Sequence, residues 1–238
     1  MEAHYQLALQ QALTWINTQF EPLGIVASGS IIRGNPHTTS DFDLYVVHEK
    51  AFRQRVQKRF NGVPCEIFVN NPAQVRDYFA SELRHNRPVT AHLLATGQLV
   101  HGHDHPQLLA LLEEARHFAT LANPLTQEQR TARAYGLATL VEDAADTLAT
   151  DAATSIYILN QAIGQLVELV FAIHQRPLPR IKERLAILSE LDATVGFGVR
   201  QYQQHADATQ KYALAKELVL RVAGATEFFE WSSSRLDE

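Results

Sequence analysis

The sequence is poor in cysteine, in net positive charge and in targeting signals, and each shortage argues against some classes of protein. Cys65 is the only cysteine among 238 residues, so an intrachain disulfide is excluded and a reducing compartment fits. Lys and Arg total 21 against 26 Asp and Glu, a formal net charge of -5, which argues against a nucleic-acid partner. No basic segment precedes an apolar stretch at the N-terminus, so we expect no signal peptide and a cytoplasmic location.

Long hydrophobic runs are also lacking. The most apolar stretch, residues 156–173, is interrupted by polar side chains at Asn160, Gln161, Gln165 and Glu168. We therefore expect no membrane-spanning segment and no membrane partner. Apolar residues nevertheless make up 46% of the chain, which is enough to bury the core of one large domain or two small ones.

The first half of the chain alternates helix and strand patterns. Apolar residues at helical spacing predict helices at 3–20, 49–60 and 71–83. Short apolar runs predict buried strands at 25–27, 42–47 and 63–69. Four basic residues give the helix predicted at 49–60 a solvated face, and Asn61-Gly62 is a turn signal. The sequence thus predicts a small α/β domain with a mixed sheet.

Strand patterns stop after residue 101. Asn123-Pro124 is the best candidate for a domain boundary, and Thr126 with Gln129 forms a capping-box pattern that opens a helix. A long buried helix follows over 156–173, and the last helix is predicted to end near Gly224. We therefore predict an α/β domain over 1–123 and an all-α helical bundle over 124–238.

The segment from Ser28 to Arg33 has the pattern of a phosphate-binding turn. Gly29 and Ser30 follow a predicted strand and precede a short helix predicted to begin at Ile31. A glycine lets the backbone approach a phosphate closely, and the N–H groups of the helix start, with the Ser30 hydroxyl, can donate to its oxygens. Arg33 lies one turn further on, where a guanidinium reaches the same phosphates.

Three carboxylates follow this turn. Asp41 and Asp43 point to the same face of the second predicted strand because side chains alternate along a strand. Two such carboxylates are costly to bury unless a divalent cation neutralises them, and Mg²⁺ prefers oxygen ligands. If the third strand pairs beside the second, Glu66 completes the cluster; an edge-strand carboxylate facing water is the plainer alternative for Glu66.

Taken together, these residues resemble the signature of the DNA polymerase β-like nucleotidyltransferase superfamily: Gly29-Ser30, ten residues, Asp41-Phe42-Asp43, then Glu66 in a following strand. The resemblance implies transfer of AMP, or another nucleoside monophosphate, from a nucleoside triphosphate such as ATP to an acceptor. By this resemblance the three carboxylates bind two Mg²⁺ ions, and Gly29 and Ser30 hold the triphosphate.

A helical C-terminal domain makes the chain most similar in layout to the antibiotic adenylyltransferases, which hold a small-molecule acceptor such as an aminoglycoside between their two domains. That resemblance gives Arg180 or Lys182 a role at the nucleotide phosphates. Glu82 and Glu142 are candidates for the glutamate that takes the acceptor's proton. For all four residues an ordinary solvated helix face is an equal alternative.

Two further functions stay open. The Gly29-Ser30-x-x-Arg33-Gly34 form also resembles the shorter nucleotidyltransferases of toxin–antitoxin systems, which add AMP to a protein acceptor. An inactive nucleotide-binding regulatory module is the remaining alternative, and the complete carboxylate set argues against it.

Overall fold

The computed structural model describes residues 1–235, and the chain divides into two compact units, Met1–Leu121 and Ala122–Glu238. The division lies beside the Asn123-Pro124 boundary predicted from the sequence. Elements of the first unit are α1 (Ala3–Phe20), β1 (Gly24–Ser28), β2 (Phe42–Val47), β3 (Gln54–Phe60), β4 (Val63–Asn70), α2 (Pro72–Arg84), α3 (Val89–Thr96), β5 (Gln98–His101) and α4 (Pro106–Phe118). Elements of the second are α5 (Gln127–Leu148), α6 (Ala152–Ile173), α7 (Arg184–Leu191), α8 (Ala193–Gln204) and α9 (Ala208–Ala223).

The first unit is built on a mixed five-stranded sheet in the order β3-β4-β2-β1-β5. Strands β2 and β4 are parallel, and the other neighbouring pairs are antiparallel. Apolar side chains of α1 pack on one face of the sheet, and those of α2, α3 and α4 pack on the other. The predicted fold class, a small mixed sheet with helices followed by a helical region, is confirmed.

The helix predicted over 49–60 is wrong, because this segment contains the edge strand β3. Asn61 and Gly62 have φ values of 45° and 79° and join β3 to β4, as in the two-residue hairpins that require positive φ at both positions. β3 is exposed along almost its whole length, so it lacks the apolar alternation by which a half-buried strand is predicted. The short strand β5 was also not predicted.

The second unit is a bundle of helices around α6. Thr126 and Gln129 form the predicted capping box at the start of α5. Within residues 1–235, α6 is long and apolar enough to cross a membrane by length and composition, with a mean hydropathy of 1.6. Half of that apolar window is buried inside the protein, where α6 packs against α5 and α9. A helix buried in the core of a protein has the same length and apolar composition.

Candidate metal and nucleotide site

The strand register brings the three predicted carboxylates together. Asp43 of β2 and Glu66 of β4 are register partners on neighbouring parallel strands, and Asp41 directly precedes β2. One carboxylate oxygen from each of the three residues lies within 4.8 Å of the others. Phe42 and Leu44, which alternate with the aspartates, are fully buried on the opposite face, so alternation along β2 aims both aspartates at the cluster.

A guanidinium from the edge strand partly balances this negative charge. Arg55 of β3 donates from both Nε and Nη2 to the Oε1 atom of Glu66. The Glu66 side chain is 18% exposed and that of Arg55 is 62% exposed, so the charge pair sits at the rim of the cluster. Arg55 was not predicted as a site residue because its segment was read as a helix; the Asn61-Gly62 hairpin signal, followed back along β3, places it beside β4.

The turn after β1 lies directly against the carboxylates. Gly29 has φ +99°, and a Cβ atom at this position would lie 3.0 Å from the Asp41 carbonyl oxygen and 3.3 Å from Oδ2 of Asp43. A side chain at residue 29 would therefore be strained and would crowd the cluster. The glycine brings the turn's backbone within reach of any group that the carboxylates bind.

The helix predicted to begin at Ile31 is wrong, because the chain makes a single turn there. The Arg33 N–H donates to the Gly29 carbonyl at 3.2 Å, and Gly34, with φ +80°, ends the turn. Arg33 is exposed on it. The hydroxyls of Ser30 and Ser40 are hydrogen-bonded at 2.6 Å, which ties the two ends of the segment between β1 and β2.

Ser28, the first residue of the predicted phosphate-binding turn, has a place beside the carboxylates that the sequence did not predict. It is the register partner of Asp43, it is 3% exposed, and its Oγ has no hydrogen-bond partner among the described residues. A buried hydroxyl without a partner is costly. Once β1 is paired with β2, Ser28 lies opposite Asp43 and therefore on the same face of the sheet, since paired residues share a face.

The donor set fits a hard divalent cation. Three carboxylates supply oxygen ligands of the kind that Mg²⁺ prefers, Gly29 keeps the approach free of side-chain atoms, and the unpartnered Ser28 hydroxyl is a further polar group beside Asp43. A cation would offset the mutual repulsion of the carboxylates, which Arg55 offsets only in part.

Glu82 is engaged at a helix N-terminus. Its two carboxylate oxygens accept from the Thr90 N–H at 2.9 and 2.8 Å, at the start of α3. Burial raises the pKa of Glu82, and hydrogen bonds from Thr90, Ala91 and Val89 oppose that rise. The structure therefore gives this candidate base the position of a helix cap, outside the three-carboxylate cluster.

The other predicted residues belong to the second unit. Glu142 is half-buried on α5, and Arg180 and Lys182 are exposed in the segment between α6 and α7. Arg180 forms an ion pair with Glu183, with Nε 3.3 Å from Oε2. Their roles toward a nucleotide or an acceptor stay predictions.

Comparison with known proteins supports the fold. No protein-family model matches the sequence, and no curated protein matches it. Among solved structures, the chain is similar to a nucleotidyltransferase-like protein from Exiguobacterium sibiricum 255-15, with a TM-score of 0.53 and 13% sequence identity. The match covers 91% of this chain and 73% of that one. At this identity the likeness is one of fold, and the chain has a nucleotidyltransferase-like fold.

Proposed function

We propose that the protein is a Mg²⁺-dependent nucleotidyltransferase that moves AMP, or another nucleoside monophosphate, from a nucleoside triphosphate to an acceptor hydroxyl. The observation that carries the proposal is that carboxylate oxygens of Asp41, Asp43 and Glu66 lie within 4.8 Å of one another. They lie against a turn in which position 29 requires glycine. The fold shared with a nucleotidyltransferase-like protein supports it.

In this proposal Asp41, Asp43 and Glu66 hold one or two Mg²⁺ ions. When bound, the metal neutralises the carboxylates and polarises the phosphoryl oxygens of the substrate. Arg55 holds Oε1 of Glu66 and so fixes the orientation of that carboxylate.

The backbone of the turn at Gly29 and Ser30 would bind the triphosphate. Its N–H groups donate to phosphate oxygens, and the left-handed conformation of Gly29 keeps the approach open. Arg33, exposed on the same turn, adds a guanidinium for the outer phosphates. The protein's contribution is to position the triphosphate and stabilise the charge that develops as the bond to the leaving group breaks.

In the transfer step the acceptor's hydroxyl oxygen bonds to the α-phosphorus, the bond from that phosphorus to the bridging oxygen breaks, and pyrophosphate leaves. The hydroxyl proton passes to a base. Glu142 is the better of the two predicted bases, because the Glu82 carboxylate is already occupied by the start of α3.

The test is calorimetric titration of ATP and GTP with Mg²⁺ into the protein and into the Asp41→Asn/Asp43→Asn double variant. We expect saturable, Mg²⁺-dependent binding that weakens at least about tenfold, or 1.4 kcal/mol, in the double variant. Asp77→Asn makes the same change at an exposed residue of α2. It is the matched control and should bind like the wild type. Equal binding by all three proteins would sink the proposal, and label transfer from α-labelled ATP would then show no dependence on these aspartates.

A further inference from the structure

A cavity outside the carboxylate cluster lies on the same face of the sheet. Tyr45 and Phe68 are register partners, each two residues beyond Asp43 and Glu66 on β2 and β4. Residues two apart on a strand share a face and are about 7 Å apart. The cavity has a volume of about 360 Å³ and is lined by both rings together with side chains of β3, α2 and α3. The nucleotide site proposed above makes no use of it.

One wall of this cavity is a fixed aromatic surface. The rings of Tyr45 and Phe68 are stacked, with centroids 5.9 Å apart and planes 20° apart. Tyr45 is 3% exposed, and its hydroxyl accepts a hydrogen bond from Nδ2 of Asn70 at 3.1 Å. Because these contacts hold the rings in place and Tyr45 is buried, the half-buried ring of Phe68 is the part of this wall that a planar ligand can contact.

The charge that faces this cavity is positive. Arg53, which directly precedes β3, and Arg55 of β3 line it. The Arg53 Nη1 donates to the Tyr78 hydroxyl at 3.2 Å, and the Arg55 guanidinium lies 5.5 Å from the Phe68 ring centroid. The one carboxylate in the lining, Glu82, is already bound by the N–H groups of α3. Guanidinium groups bind carboxylates and phosphates through paired hydrogen bonds.

Arg55 joins the cavity to the proposed reaction centre, because its guanidinium both lines the cavity and pairs with Glu66. A ligand held against Phe68 and Arg55 therefore lies next to the carboxylate cluster.

We infer that this cavity binds the acceptor and that the acceptor is a planar molecule carrying a carboxylate or phosphate group. The inference rests on the proposed nucleotidyltransferase function. Such an acceptor differs from the polycationic aminoglycosides used by the enzymes that the overall layout resembles, since the lining carries two arginines and one carboxylate.

The test is calorimetric titration of four probes into the full-length protein: phenyl phosphate, 4-hydroxybenzoate, benzylamine and kanamycin. We expect the two anions to bind and the two amines not to bind. Arg53→Gln should weaken binding of the anions at least fivefold. Arg116→Gln, which removes the same charge from a surface pair with Glu113 on α4, is the matched control and should leave it unchanged. Circular dichroism checks that both variants are folded.

A second titration separates this cavity from the phosphate-binding turn. With the site saturated by Mg²⁺ and a non-hydrolysable ATP analogue, the anionic probes should bind with unchanged affinity. Displacement of the probes by the analogue would assign the cavity to the nucleotide and overturn the inference. Tighter binding of kanamycin than of phenyl phosphate, or full affinity in Arg53→Gln, would overturn it as well.

The two proposals fail in different ways. Binding of Mg²⁺-ATP without binding of either anionic probe overturns the acceptor cavity and leaves the nucleotidyltransferase proposal standing. Binding of the probes through Arg53 without any binding of ATP or GTP overturns the nucleotidyltransferase proposal, and the acceptor assignment falls with it.

Discussion

At the scale of single residues, Gly29 is the most sensitive backbone position of the site. We expect Gly29→Ala to cost about 1–2 kcal/mol of stability, because an alanine is strained at positive φ, and to abolish measurable Mg²⁺-ATP binding. The loss of binding has a separate cause, since the new methyl group would lie 3.0 Å from the Asp41 carbonyl oxygen and 3.3 Å from the Asp43 carboxylate. Urea unfolding and calorimetric titration measure the two effects.

Gly62→Ala is the matched control for this prediction. Gly62 has φ +79° and no atom within 4 Å of an added Cβ, so its alanine variant should lose similar stability and keep full nucleotide binding. If both variants bind ATP like the wild type, close approach of the backbone to the carboxylates has no part in binding. If both lose binding equally, general destabilisation explains the result.

At the scale of an element, the start of α3 depends on a side chain from α2. Glu82 supplies the cap, and Pro88, the N-cap residue, makes no side-chain cap hydrogen bond. We expect Glu82→Ala to cost about 1 kcal/mol, the usual loss on removing a helix cap. Hydrogen exchange should rise at the amides of Val89–Thr96 and at few others.

The same carboxylate predicts a pH dependence. Burial raises the pKa of Glu82 and outweighs the hydrogen bonds that lower it, so the folded protein holds this proton more tightly than the unfolded chain. The stabilisation is fully present below the unfolded pKa, about 4.3, and is lost as the pH rises through the folded value. In urea unfolding, the stability of the wild type minus that of Glu82→Gln should therefore fall from pH 4 upward. A difference that rises with pH would show that the α3 N–H groups outweigh burial.

At the scale of the whole molecule, each unit has its own core. The buried apolar cluster around α6 contains residues of the second unit, and the two clusters that flank the sheet contain residues of the first. We expect Leu159→Ala, which truncates a fully buried side chain of α6, to cost about 2–5 kcal/mol. Hydrogen exchange should accelerate in α5, α6 and α9 and stay unchanged in β2 and β4.

Ile67→Ala in β4, also fully buried, is the reciprocal variant and should expose the sheet amides while sparing α6. Equal loss of protection in both units, in either variant, would mean that the two cores unfold as one cooperative unit.

Local sequence patterns predicted the helices and strands that bury a regular set of apolar side chains. Strands β2 and β4 and helices α1 and α6 each bury one consistent set of apolar residues, and periodicity reports such burial directly. Strand β3 was missed because most of its side chains are exposed and three of its seven residues are basic, a composition that is equally typical of a solvated helix face. Charged residues of this kind are common on edge strands, where they block pairing with other chains.

By itself the sequence determined the chemistry of the site: a glycine-serine turn, two aspartates on one face of a strand and a glutamate on another. These follow from alternation and spacing within short segments. Only the tertiary structure decided that β2 and β4 are neighbours in register and that Arg55 reaches Glu66 from the adjacent strand. It also decided that Ser28 is buried beside Asp43 and that Glu82 caps the start of α3. Each of these depends on contacts between residues that are far apart in the sequence, and local patterns do not report such contacts.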